Sequence, residues 1–317
     1  MKRYLNLGFV LVLALALFVA CDNPTESEES SYEVMTEYMT NNNLDLNDML
    51  SGWITDAQDV NVNKDDYFLM DIRKPEHYNQ GHIEGAVNTS LGDVLETAEQ
   101  SAGKPIVVIC YSGQSAAHAV TALRLSGYSD AKSLKFGMSS WHSDFDVWTG
   151  NTGNTADNYA SNWTSDAAPS PQEFDYPSFD SDYENGPDIL DERIEYMLDN
   201  GFKGINGEDV LQAPDNYFVN NYWAEGDWSQ YGHIKGAFRL FGEDLTLAND
   251  GFKHLNPEKT VVTYCWTGQT SSILTAYLTV LGYDATSLKF GANGMIYSDL
   301  QSHKWSESTP ADFDYVQ

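Results

Sequence analysis

Pro105-Ile106-Val107-Val108-Ile109-Cys110-Tyr111-Ser112-Gly113-Gln114-Ser115 recurs as Thr260-Val261-Val262-Thr263-Tyr264-Cys265-Trp266-Thr267-Gly268-Gln269-Thr270, and the architecture follows from this pair. In each copy a short run of mostly β-branched apolar residues lacks polar alternation, as in a strand buried on both faces of a parallel sheet. The run ends at a cysteine. A polar turn with glycine at the fourth position follows, and then a helical pattern, Ala116 to Leu125 in one copy and Ser271 to Leu281 in the other. Gly127 and Gly282 stand just past those helices, where a left-handed residue closes them. Strand, tight loop and helix in that order put the loop at the carboxyl edge of an α/β sheet, where such sheets hold ligands.

The similarity extends outward. Gly81-His82-Ile83-Glu84-Gly85-Ala86 reappears as Gly232-His233-Ile234-Lys235-Gly236-Ala237, and Ser133-Leu134-Lys135-Phe136-Gly137 as Ser287-Leu288-Lys289-Phe290-Gly291. Upstream, Tyr67-Phe68-Leu69 matches Tyr217-Phe218-Val219 and Met49-Leu50 matches Met197-Leu198. Motifs in the same order at nearly constant separation identify a duplicated domain. Each copy has an amphipathic helix (Leu44 to Leu50; Leu190 to Leu198) and an apolar strand (Tyr67 to Ile72; Tyr217 to Tyr222) before the cysteine strand. The expected fold class is therefore α/β: two doubly wound domains, each a mainly parallel central sheet flanked by helices. Their expected bounds are 40–149 and 186–312. Residues 150–185 between them, crowded with Asn, Thr, Ser, Asp and Pro, read as a linker that packs along the domains through Trp163, Phe174, Tyr176 and Phe179.

The 317-residue chain is 42% hydrophobic and 13% aromatic, enough for two cores. It begins with Lys2-Arg3, an almost wholly apolar run from Leu5 to Val19, and then Ala20-Cys21. A spanning helix needs ~20 apolar residues, so this shorter run, residues 1–20, reads as an export signal. It resembles the bacterial lipoprotein signal. That resemblance implies acylation of Cys21, palmitate included, and attachment of the exported protein to a membrane of the cell envelope, facing the periplasm or the outside. Residues 21–39 are expected to be a flexible tether. Loss of Lys2 and Arg3 takes the formal charge from −30 to −32, a field that repels phosphate backbones and excludes nucleic acid as a partner.

Three cysteines are too few for a disulfide scaffold, and no Cys-x-x-Cys or Cys/His cluster is spaced for a metal, so no metal or other cofactor is expected. Cys110 and Cys265 each sit where a curled loop aims backbone N–H groups inward and a helix N-terminus adds partial positive charge. Such a nest favours an anionic sulfur and makes each cysteine a nucleophile. Ser115 and Thr270 are placed to cap the helices and to donate hydroxyls.

Asp71-x-Arg73, the two Gly-His-Ile-x-Gly-Ala segments, the six-residue Cys-x-x-Gly-x-Ser/Thr loops and the turns Leu134–Gly137 and Leu288–Gly291 together resemble the rhodanese family. From residue 40 onward the chain is similar to a tandem rhodanese sulfurtransferase. The resemblance implies that Cys110 and Cys265 attack a sulfane-sulfur donor and carry the sulfur as a persulfide to a nucleophilic acceptor, a small molecule or a protein. It makes Tyr111, Ser112, Gly113, Gln114 and Ser115, with Trp266, Thr267, Gly268, Gln269 and Thr270, the cradle of that sulfur. Transfer through a covalent carrier gives ping-pong kinetics. A phosphoester-hydrolysing relative has a longer loop ending in arginine; six residues without arginine suit sulfur better.

The chain also departs from the family pattern. Both repeats keep the cysteine, where well-known tandem members keep only the second, so the two carriers act independently or as a relay. The second repeat has Asn221-x-Trp223 for Asp71-x-Arg73, while Asp71 and Glu76 are expected to hold the first loop in place and Arg73, beside it, to help bind the substrate. Neither cysteine has Arg or Lys beside it, which leaves Lys135 and Lys289 as the cations for an anionic donor. The resemblance places His82 and His233 in a structural turn and not in the chemistry. Two classes of function remain. One is an exported, membrane-anchored sulfurtransferase acting on thiosulfate, polysulfide or a small persulfide. The other is a rhodanese-fold module that binds sulfur or a chalcogen anion, or docks a redox partner, with little turnover.

Overall fold

β1 (Ile54–Thr55), β2 (Phe68–Asp71), β3 (Val87–Asn88), β4 (Ile106–Ile109) and β5 (Lys132–Leu134) form a parallel sheet in the order β1-β5-β4-β2-β3. The computed structural model describes residues 30–317; the leader and Cys21 lie outside them. The rest of the chain supplies β6 (Trp163–Thr164), β7 (Gly204–Ile205), β8 (Phe218–Asn221), β9 (His233–Ile234), β10 (Val261–Tyr264) and β11 (Ala285–Leu288). Of these, β7-β11-β10-β8 form a second parallel sheet, and β6 pairs antiparallel with β9. The cysteine strands β4 and β10 are interior in their sheets, and all four residues of each are buried. Only a strand covered on both faces does this, which is why they lack alternation.

After each cysteine the chain returns as a helix, Gln114–Leu125 or Gln269–Val280, and these two helices pack on one another. Ala116, Ala117, Ala119 and Ala122 of the first helix and Ile273, Leu274, Ala276 and Tyr277 of the second are buried in one cluster, and the small side chains suit the close packing of the pair. One apolar core therefore runs through both repeats.

Residues 31–39 differ from the expected tether. Ser31–Asn41 is a helix, started by a capping box in which Ser30 Oγ accepts from Glu33 N at 3.3 Å and Ser30 N donates to Glu33 Oε2 at 2.9 Å. Tyr32, Met35 and Met39 are buried against the helix Gly186–Asn200, with Val34 and Tyr38 packed on the same core. The connections also cross between repeats. Trp163–Thr164, which follows the first repeat, pairs with β9 of the second, while Val316, at the end of the second, exchanges hydrogen bonds of 2.9 Å with His82 of the first. The linker and the tail beyond residue 312 are thus parts of the folded unit. His82 and His233 stack on Tyr78 and Trp228 at 3.7 and 3.4 Å, inside those turns.

His118, on the first loop helix, is fully buried and faces Phe202 edge-on at 6.1 Å. Burial pushes its imidazole down to about 4, and burial does the same to His233. Both are neutral in the folded chain, whereas in the unfolded chain they take a proton below about pH 6.5. Stability from these sites is therefore complete above about 6.5 and is lost as pH falls towards about 4, by at most ~3 kcal/mol per histidine. His118→Leu should flatten the loss of urea stability between about pH 7 and pH 4.5. An unchanged slope would show that other groups carry the acid sensitivity.

Candidate functional site

Cys110 and Cys265 lie directly beyond β4 and β10, buried with 4% and 2% exposure. Gly113 (φ +80°) and Gly268 (φ +76°) adopt the left-handed conformation and are themselves the helix caps. The helices start at Gln114 and Gln269, so Ser115 and Thr270 stand in the first turn and do not cap it as expected. The glycine turns its N–H inward: Gly113 N donates to Cys110 Sγ at 3.1 Å, joined by Ala116 N at 3.4 Å. In the second repeat Ser271 N donates to Cys265 Sγ at 3.4 Å, and the thiol faces Ser271 Oγ at 3.7 Å. That hydroxyl is itself 2.7 Å from Ser287 Oγ.

A second turn backs each loop. Met138 N and Ser139 N donate to the carbonyls of Cys110 and Tyr111 at 2.7 and 3.1 Å; Ala292 N and Asn293 N donate to those of Cys265 and Trp266 at 3.0 and 3.2 Å. With these carbonyls pinned outward, the following N–H groups are left to face the sulfur. A Cβ on Gly137 or Gly291 would lie 2.2 Å from the cysteine carbonyl oxygen, so only glycine lets the turns approach.

The surroundings of the two loops differ. In the first repeat Arg73 is fully buried on Asp71, with Nε 3.0 Å from Oδ1 and Nη2 2.6 Å from Oδ2, and Nη2 also donates to Gly81 O at 2.7 Å. Its guanidinium lies 5.0 Å from the Tyr111 ring centre and 5.4 Å from that of Phe145, placing a cation beside the loop. Glu76, expected to help, is exposed; its neighbour His77 meets Tyr111 edge-on at 5.3 Å instead. In the second repeat Trp223 stacks on Trp266 at 4.3 Å. Tyr264, aligned with Ile109 of the first repeat, supplies the missing polar link: its hydroxyl accepts from Asn221 Nδ2 at 2.7 Å and Ile234 N at 3.2 Å.

Lys135 and Lys289 directly follow β5 and β11, the strands beside the cysteine strands. Lys135 is exposed with Nζ 5.4 Å from the Phe136 ring, and the Lys289 stem lies along Gly204. The amides of Gln114 and Gln269 do not face the sulfur: they are 3% and 2% exposed and reach into the opposite repeat. Among the described residues no group of three or more His, Cys, Asp or Glu could hold a metal ion. Reading the sequence missed Ser271, which stands where the first repeat has Ala116, a difference visible in the aligned motifs. It also missed Phe136 and Phe290, whose left-handed backbone (φ +62° and +60°) has no signature in residue type.

The Rhodanese-like domain family matches residues 56–144 and 214–295, and the chain belongs to that family, with one domain in each repeat. It is 37% identical over 75 residues to the thiosulfate sulfurtransferase GlpE of Shewanella oneidensis, covering 23% of this chain and 74% of that protein. To GlpE of Pseudoalteromonas translucida it is 31% identical over 85 residues, 26% and 81% of the two chains. Among solved structures, a rhodanese-related protein from Thermoplasma volcanium is 27% identical, covering 28% of this chain and 88% of that one with a TM-score of 0.26.

Proposed function

We propose that the protein is an exported, lipid-anchored sulfurtransferase that carries sulfane sulfur as persulfides on Cys110 and Cys265. The observation that carries this reading is the aim of backbone N–H groups at both sulfurs: Gly113 and Ala116 at Cys110, and Ser271 at Cys265. The cysteine thiolate attacks the outer sulfur of a donor. A bond forms from Sγ to that sulfur as its bond to the rest of the donor breaks, and the departing group keeps the electron pair, leaving as sulfite when the donor is thiosulfate. An acceptor nucleophile then takes the terminal sulfur and frees the thiolate. Intact-mass measurement after incubation with polysulfide should find one added sulfur for each of Cys110 and Cys265 that remains, in wild type and in each Cys→Ala variant, and none in the double variant.

Thiosulfate is the substrate in the names of the relatives, but the loops here offer Tyr111 and Trp266 and no charged side chain, and the Arg73 guanidinium beside the first loop is already neutralised by Asp71. An unpaired dianion is costly to desolvate. The expected order of kcat/KM is therefore polysulfide or persulfide above thiosulfate, with thiosulfate turnover rising with ionic strength as the acidic chain is screened. A clear preference for thiosulfate refutes this order. The near-complete enclosure of both sulfurs favours a second reading, a sulfur-binding or partner-docking module. A wild-type protein that gains no sulfur mass points there.

Anchoring rests on the apolar leader ending at Cys21. Diacylation gives stable attachment where one chain is marginal. Cys21→Ser should release the protein from the membrane fraction; unchanged sedimentation with an uncleaved leader would make a transmembrane anchor the better account.

A further inference from the structure

We propose that each cysteine loop is held in its reactive shape by the glutamine of the other repeat, Gln269 positioning the loop of Cys110 and Gln114 that of Cys265. The two sites are thereby coupled. The proposal rests on the sulfur-transfer reading for what the loops do; its geometry stands by itself. Gln269 Oε1 accepts from Phe136 N at 2.9 Å, and Gln114 Oε1 accepts from Phe290 N at 3.0 Å. The amide nitrogens turn back to their own loops, Gln269 Nε2 to Thr267 Oγ1 and Gln114 Nε2 to Ser112 Oγ, each at 3.1 Å. Every glutamine therefore ties its own loop to the backing turn of the other repeat. The fit is close: a Cβ on Gly113 would lie 2.3 Å from Gln269 Oε1, and one on Gly268 would lie 2.4 Å from Gln114 Oε1.

What the glutamines hold is a conformation that phenylalanine rarely adopts. Phe136 and Phe290 have φ of +62° and +60°, and such residues persist only where the surroundings over-determine them. Their rings meet Trp148 and Trp305 in an aromatic cluster at the junction of the repeats, each phenylalanine 5.0 Å from Trp148. The crossed hydrogen bond fixes the backbone at the same place. The residues that follow are the ones that pin the loop: Gly137, Met138 and Ser139 against the carbonyls of Cys110 and Tyr111, and Gly291, Ala292 and Asn293 against those of Cys265 and Trp266. If Phe136 relaxes, those carbonyls are released and the N–H groups aimed at Cys110 Sγ lose their orientation. Gln114 and Gln269 are thus positioning residues, and each acts mainly on the distant sulfur.

The test is alkylation by iodoacetamide at neutral pH in the intact two-repeat protein, with the rate at each cysteine resolved by peptide mass spectrometry. Gln269→Met should slow Cys110 about tenfold and Cys265 less, and Gln114→Met should do the reverse. Gln269→Glu, whose carboxyl burial keeps neutral, offers both an accepting oxygen for Phe136 N and an O–H for Thr267 Oγ1, and should return Cys110 to within about threefold of wild type. Losses that fall mainly on the cysteine of the substituted loop, that fall equally on both, or that persist in the glutamate variant overturn the proposal. Persulfide mass gain measured in parallel separates the two readings. A crossed alkylation pattern without any added sulfur removes the sulfur-transfer reading and leaves the coupling in place.

Discussion

Cys110→Ala is expected to abolish most sulfur transfer, and Cys265→Ala to leave a substantial fraction. The two sulfurs are similarly buried, so the difference lies in what faces them. Cys110 Sγ receives two backbone N–H groups and has the Arg73 guanidinium 5.0 Å from the neighbouring Tyr111 ring. Cys265 Sγ receives one N–H, and the corresponding neighbour is the Trp223 ring against Trp266. One well-aimed donor at a site of developing charge is worth ~10²–10³ in rate, enough to rank the two. The opposing feature is Ser271 Oγ. It lies 3.7 Å from the sulfur and 2.7 Å from Ser287 Oγ, and its proton reaches a Cys265 thiolate only when Ser287 is the donor between the two serines. Steady-state assays of the two single variants decide the ranking. Equal losses mean that sulfur passes through both cysteines in turn, and an inactive Cys265→Ala beside an active Cys110→Ala refutes it.

Much of this site was legible because its parts are local. An unbroken apolar run forces a two-sided strand, a glycine at the fourth position permits the left-handed cap, and both fall within one stretch of chain. The repeat made the reading firmer, since a core thiol has no reason to recur with the same loop. What stayed hidden is long-range. Gln114 and Gln269 have the same residue type whether they face a ligand or another domain, and only the packing of Gln114–Leu125 on Gln269–Val280 decides which. The helix Ser31–Asn41 was hidden by the acidic run that precedes it, and its three buried side chains in eleven residues suffice because a partner helix is present. Tyr264 shows a third kind of difficulty. Its hydroxyl matters because Asn221 and Trp223 have replaced the charged pair, a compensation read only with the strands side by side.

Arg73→Met should destabilise the protein by ~3–5 kcal/mol, because it strands the Asp71 carboxylate, which has no exposed surface. The arginine side chain makes three hydrogen bonds with that carboxylate and one with Gly81 O, and none of these can pass to water at a site so enclosed; only the bond from the Arg73 backbone N–H to Oδ1 survives the substitution. Most of the loss is the cost of an uncompensated buried charge, not the net worth of the pair, so removing both charges should cost less than removing one. Asp71→Asn combined with Arg73→Met is therefore expected to recover at least half of the lost urea stability. The second repeat already runs without the pair, with Asn221 bonded to Tyr264 and Trp223 filling the space. Activity should separate from stability. Both variants lack the cation near Tyr111, so sulfur loading of Cys110 should stay low even where folding is restored. A double variant as unstable as Arg73→Met alone would place the loss in the bond to Gly81 O and in the packing on Tyr111 and Phe145. If it also loaded Cys110 normally, the guanidinium would be a strut of the fold with no part in the chemistry.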